Sequence, residues 1–224
     1  MKDGFLKIAA ATPDIRVADC PYNSSQIQKR MREAAAQGVR LLVLPELCVT
    51  GYTCGDLFLQ DTLLRGALQA LEELRAASRG LSLVTVVGLP LDLGGKLYNC
   101  AALLLDGRLL GLVPKQNIPN YGEFYEARYF VPGPRETRVV SLLGEEVPFG
   151  GNLLFRCRDW PAFTLGLEIC EDLWVPVPPS AGLAAAGATV LANLSASDEV
   201  VGKADYRRSL VSGQSARLCC AYLY

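Results

Sequence analysis

Across its 224 residues the sequence has no histidine. That absence excludes Ser-His-Asp and Cys-His dyads, His-ligated zinc, imidazole proton shuttles and switching near neutral pH, because each needs the one side chain that titrates there unperturbed. Chemistry in this chain must therefore run on Cys, Lys, Asp, Glu, Tyr or Ser. Net charge is nearly absent as well: 22 Lys+Arg against 23 Asp+Glu give −1. No electrostatic feature then points to nucleic acid or an anionic membrane surface as partner. Long apolar runs are also missing. The longest uncharged apolar stretch, Ala181 to Ala192, is rich in Gly and Ala and falls short of the roughly 18 residues a spanning helix needs. The apolar start MKDGFLKIAAATPDIRV is interrupted by Lys7 and ended by Pro13 and Asp14, so it reads as a first buried strand rather than a signal peptide. The eight cysteines, at 20, 48, 54, 100, 157, 170, 219 and 220, form no CxxC pair and no knuckle spacing, and no metal site is expected. Reduced thiols in a soluble, cytoplasmic protein are the expectation.

What is present is enough for a sizeable core, since half of the residues are hydrophobic, and the length fits one large domain or two small ones at about 100–200 residues each. Element types alternate along the chain. Leu6–Ala11 is an apolar strand, and Asn23 is placed to cap a helix over Ser24–Gln37 that Gly38 closes. Val39–Leu44 and Leu81–Leu89 are apolar runs of strand length, with a helix over Asp61–Arg79 between them. Cys100–Leu105, the turn Asp106-Gly107 and Leu109–Val113 predict a hairpin. Residues 116–135, rich in Pro, Gly, Asn, Tyr and Glu, read as a long functional loop. Strands follow at Arg138–Leu143, Leu153–Arg156, Phe163–Ile169 and Ala188–Asn193, then a helix over Asp205–Leu218 and the strand-like run Cys219–Tyr224. The pattern predicts a single α/β domain. The sequence ends inside an apolar run, CCAYLY, where chains usually end in polar segments, so further strands are expected to follow it.

Functional groups in α/β sheets gather where strands end. Val39–Leu44 leads to Pro45-Glu46, Leu109–Val113 to Pro114-Lys115, and Phe163–Ile169 to Cys170-Glu171-Asp172. If those strands are neighbours in one sheet, a carboxylate, an ammonium and a thiol converge. Cys170 lies at a strand-to-helix elbow, where unpaired N–H groups and the helix dipole favour thiolate and can cradle an oxyanion. Glu171 and Asp172 are placed to complement that dipole, a role that needs no substrate. Taken singly, a Glu or Lys after a strand is usually a solvated turn residue and a Cys in an apolar context is usually core. Together they point to acyl transfer from an amide, because a thiol nucleophile without histidine needs another base.

The strings LPELCVTGY around Glu46, LVPKQNIPNYGEFYEARYF around Lys115 and GLEICEDLW around Cys170 resemble, in order and spacing, three segments of the nitrilase, or carbon–nitrogen hydrolase, superfamily. NYGEFYE, CEDLW and LANLSASDEVVGKADYRR at 191–208 resemble one branch of it, the glutaminase domain of glutamine-dependent NAD synthetases. The resemblance implies an α-β-β-α sandwich of two mixed sheets with helices on the outer faces. It also implies a catalytic triad of Cys170 as nucleophile, Glu46 as base and Lys115 as oxyanion support, with glutamine as substrate. Tyr121, Ser197 and Lys203 fall at glutamine-binding positions, with Glu171 and Tyr52 as pocket neighbours and Glu126 as an acid that orients Lys115. Each has a plainer reading: Tyr52 a cap on the turn Thr50-Gly51, Ser197 a helix N-terminal hydroxyl, Lys203 a solvated lysine, Glu126 an ion pair with Arg128.

By the same resemblance the whole chain, 1–224, is a glutaminase domain incomplete at its C-terminus, in homo-oligomers, whose ammonia serves a synthetase domain that this sequence lacks. ATP and Mg are expected only at that absent domain, and no cofactor on this chain. The one superficial phosphate-loop candidate, Ser212-Gly213-Gln214-Ser215, lacks the second Gly and the Asp and lies in a helical stretch. Two alternatives stay open: a hydrolase of another small amide or nitrile, of the omega-amidase type, and a non-catalytic fragment whose triad does not assemble.

Overall fold

The computed structural model describes residues 4–224. In chain order the elements are β1 (Ile8–Ala10), α1 (Cys20–Ala36), β2 (Leu41–Val43), α2 (Asp61–Ala77), β3 (Val84–Asp92), β4 (Leu97–Leu105), β5 (Arg108–Pro114), β6 (Arg138–Leu142), β7 (Glu145–Phe149), β8 (Leu154–Arg156), β9 (Thr164–Ile169), α3 (Pro179–Ala185), β10 (Val190–Leu194), α4 (Lys203–Leu218) and β11 (Ala221–Leu223). They form a seven-stranded sheet in the order β1-β2-β3-β4-β5-β7-β6 and a four-stranded sheet in the order β11-β10-β9-β8. Both sheets are mixed: β1, β2 and β3 run parallel before β3, β4 and β5 turn antiparallel, and β9, β10 and β11 run parallel with β8 antiparallel at the edge.

Side chains alternate across each strand, so each sheet serves two cores. Leu41, Val43, Val86, Ala101 and Leu103 of the first sheet pack against Leu165, Leu167, Ile169, Ala192 and Leu194 of the second. The intervening residues Leu42, Leu44, Val87, Ala102 and Leu104 face the helix pair α1–α2 through Ile27, Met31, Leu71 and Leu74. Leu191, on the outer face of the second sheet, packs against Leu183 of α3. Two buried faces per strand explain why these segments read as continuous apolar runs, and the result is a helix–sheet–sheet–helix sandwich.

Three local expectations are corrected. The first helix starts earlier than predicted, because Asp19 accepts the Tyr22 N–H at 3.1 Å and Pro21 occupies its first turn. Asn23 is instead buried within α1, accepting from the Arg16 N–H and donating to the carbonyls of Arg16 and Val49. Second, the segment Glu145–Phe149 is a strand that the sequence does not announce, since Pro148 interrupts it and only Val147 and Phe149 face the core. Third, Ser197 does not open a helix: α4 begins at Lys203 after the left-handed Gly202. The hairpin turn is as predicted, with Asp106 and Gly107 both at positive φ, as a two-residue I′ turn requires.

Candidate active site

Glu46 follows β2 and Lys115 follows β5, both in the seven-stranded sheet with β3 and β4 between them, whereas Cys170 follows β9 in the other sheet. The expectation of neighbouring strands in one sheet is therefore corrected: the three groups meet across the sandwich. The loop carrying Glu46 lies hard against β3 at Gly88, where a Cβ would stand 2.4 Å from the Leu47 nitrogen and 2.6 Å from the Pro45 oxygen. A glycine inside an otherwise apolar strand marks this close backbone approach.

Lys115 is fully buried, and its Nζ donates to Glu46 Oε1 at 2.7 Å and to Glu126 Oε1 and Oε2 at 2.7 and 2.9 Å. Glu46 Oε1 also accepts from Asn99 Nδ2 at 2.7 Å, while Oε2 accepts the Ala196 N–H at 3.1 Å. The Tyr52 hydroxyl donates to Glu126 Oε1 at 2.7 Å, so Tyr52 is not a turn cap. Arg128 pairs with Asp56 at the surface and leaves Glu126 to Lys115. Burial disfavours the Lys115 ammonium, but Glu46, Cys170 and Glu126 together outweigh it and push the pKa above the ordinary lysine value. Burial and the neighbouring Glu46 raise Glu126 against the pull of Lys115 and Tyr52.

Cys170 opens a four-residue 3₁₀ turn, Cys170–Leu173, and has a left-handed backbone with φ +46°. Burial and the Glu46 carboxylate push its thiol up to about 12, against the opposing effect of Lys115. This shift opposes the thiolate-favouring effect expected of the strand-to-helix elbow. A single short turn has little dipole to offer, and a buried sulfur beside a carboxylate keeps its proton. Attack by this thiol would require removal of its proton, and Glu46 is the neighbouring carboxylate.

The Tyr121 hydroxyl donates to Glu171 Oε2 and Oε1 at 2.9 and 3.0 Å. Lys203 is not a solvated lysine: it pairs with Asp198 and lies 5.2 Å from the Trp174 ring centroid and 5.9 Å from that of Phe124. Ser197 accepts from Arg207 at 3.4 Å and lines a cavity of about 240 Å³ with Asn193, Ser195 and Ala196. Among the described residues no hydrogen bond joins Ser197 to Tyr121 or Glu171.

Residues 7–220 match the carbon-nitrogen hydrolase family. The chain belongs to that family. It is 44% identical over 221 residues, 99% of its length, to the glutamine-dependent NAD(+) synthetase of Mycobacterium tuberculosis, of which it covers 32%. The chain thus spans about a third of the length of the curated relatives it matches. A crystal structure of a glutamine-dependent NAD(+) synthetase from Cytophaga hutchinsonii superposes with a TM-score of 0.86 at 34% identity, covering 97% of this chain and 35% of that one. An amidase from Nesterenkonia sp. shares the fold, with a TM-score of 0.75 at 23% identity over 100% of this chain and 77% of the amidase.

In this carbon-nitrogen hydrolase several groups at the site are not evident from motif reading. Asn99 and Asn193 are amides within apolar strands, and that anomaly is their only sequence signal. Asp172 lies in the first turn after Cys170, as expected, and is fully buried, accepting from the N–H groups of Ile169, Gln116 and Asn117 and from Asn117 Nδ2. It thereby ties the turn after Cys170 to the segment after Lys115. Among the described residues no group of three or more His, Cys, Asp or Glu is placed to hold a metal ion, and no helix is long and apolar enough to cross a membrane.

Proposed function

We propose that this chain hydrolyses the side-chain amide of glutamine through a Cys170 thioester, giving glutamate and ammonia. We further propose that in a longer protein the ammonia amidates deamido-NAD at a synthetase domain. The observation that carries the reading is the buried Glu46–Lys115 pair, joined at 2.7 Å and placed beside the Cys170 thiol. The names of the relatives at 44% and 34% identity support the choice of glutamine.

The Cys170 sulfur attacks the amide carbon as its proton passes to Glu46 Oε2, the oxygen not engaged by Lys115 and Asn99. The carbonyl π electrons move to oxygen, and the oxyanion takes a hydrogen bond from the Lys115 ammonium. Glu46 returns the proton to the departing nitrogen, the C–N bond breaks and ammonia leaves the γ-glutamyl thioester. Glu46 then takes a proton from water, whose oxygen adds to the thioester carbon; C–S cleavage releases glutamate and restores the thiol. Glu126, held by Tyr52, fixes the ammonium from its other side. For the amino-acid end of the substrate, Glu171 with Tyr121 offers an anionic partner for the α-ammonium and Lys203 a cation for the α-carboxylate. These steps need no cofactor. All eight cysteines are free, which fits a reducing cytoplasm.

The test is ammonia release from glutamine by the purified chain beside a Cys170→Ala variant. Release by the wild type alone is expected. Equal behaviour of the two overturns the proposal, and a panel of amides in which glutamine ranks low points instead to a different small amide.

A further inference from the structure

The thiol-bearing residue occupies a backbone state that side-chain-bearing residues avoid. Cys170 has φ +46°, and such a conformation persists only where its surroundings impose it. One side chain engages both backbone polar groups of Cys170. The Cys170 N–H donates to Asn193 Oδ1 at 2.8 Å, and Asn193 Nδ2 donates to the Cys170 carbonyl at 3.3 Å. A carboxamide carries an acceptor and a donor on one plane, which matches the N–H and C=O of one residue as a neighbouring strand would.

The topology explains why an amide is needed at this point. The β9–β10 ladder pairs Glu168 with Asn193 and Ile169 with Leu194, its last rung, so Cys170 lies one residue beyond the ladder. Where backbone pairing stops, the Asn193 side chain replaces it. Asn193 is 1% exposed, and Ser195 Oγ donates to its Oδ1 at 3.1 Å, which sets the orientation of the amide. Three residues further on, the Ala196 N–H donates to Glu46 Oε2. The end of β10 therefore grips Cys170 in one sheet and Glu46 in the other.

We infer that Asn193 is a positioning residue for the nucleophile, clamping both backbone groups of Cys170 in the left-handed turn that presents its thiol to Glu46 and Lys115. The inference rests on the reading of Cys170 as nucleophile. Asp at 193 would keep an acceptor for the Cys170 N–H but set a second oxygen against its carbonyl. Ala would leave the Cys170 N–H without its acceptor and remove the side-chain donor from the Cys170 carbonyl.

Two measurements test the clamp. In glutamine hydrolysis, Asn193→Asp and Asn193→Ala are expected to lower kcat per folded molecule by ~100-fold while KM changes by less than about threefold, because a displaced thiol loses attack geometry and not substrate contacts. An unchanged kcat per folded molecule, or a loss that lies in KM, overturns the inference. The second measurement needs no activity. Glycine adopts positive φ freely, so Asn193→Ala is expected to lower the urea midpoint more with Cys at 170 than in a Cys170→Gly background. A variant that folds only in the glycine background counts in favour, and equal shifts in both backgrounds count against. If the wild type releases no ammonia from glutamine, the functional reading fails by itself and the urea comparison still decides the clamp.

Discussion

A buried lysine between two carboxylates is the chemical centre of this molecule, and its residues can be tested singly. Lys115 engages Glu46 and Glu126 with no exposed surface, so Lys115→Met would leave two buried carboxylates without their cation. Thermal or urea unfolding should show a loss of about 3–5 kcal/mol, the usual cost of removing one partner of a buried pair. Glu126→Gln keeps the shape but weakens the hold on Lys115; steady-state kinetics should show kcat lower by ~10- to 100-fold with KM little changed. The thiol makes a separate prediction. Because the Cys170 thiol is pushed up to about 12, a generic alkylating agent near neutral pH should label the exposed Cys219 before Cys170. A glutamine-shaped electrophile should reverse that order, as peptide mass mapping would show. Glu46, Lys115 and Cys170 are visible in the sequence as ionisable groups that end apolar runs. The state of the thiol is not visible there, since it depends on burial and on a carboxylate from another sheet.

At the scale of elements, the strands themselves hold the site in register. Gly88 on β3 admits the Glu46 loop, and a methyl there would collide with the backbone of Pro45 and Leu47. Gly88→Ala should destabilise the fold by about 1–3 kcal/mol, as overpacking does, and should lower kcat by displacing Glu46; unfolding curves and kinetics check both. Asp172 ties the turn after Cys170 to the segment after Lys115. Burial pushes its carboxyl up to about 7 against the N–H groups that face it. A carboxyl raised in the folded state contributes stability that is fully present below its unfolded pKa and is lost as pH rises through the folded one. The stability of the wild type relative to Asp172→Asn, which does not titrate, should therefore fall between about pH 4 and pH 8. Except for β7, element types and order were legible from apolar runs and the Asp106-Gly107 turn. The start of α1 was not read correctly, because Asn23 and Asp19 are both good caps by composition and only the buried partners of Asn23 decide between them. Glycine 88 and the strand amides Asn99 and Asn193 were legible as anomalies, but what they face was not.

For the whole molecule, the division of the strands between two sheets was the feature that periodicity could not supply. Runs apolar on both faces carry no mark of which sheet they join, and the functional groups meet only because the sheets pack face to face. The absence of histidine fits the proposed arrangement, in which Glu46 serves as the base. In the proposed reaction Glu46 transfers the proton and Cys170 carries the acyl group. This assignment is tested most directly by acid-quenching the chain during turnover of glutamine and locating covalent adducts by peptide mass spectrometry. The expected result is a γ-glutamyl group on Cys170 in the wild type and none in Glu46→Gln. An adduct on another residue, or undiminished acylation of Cys170 in Glu46→Gln, would contradict the account.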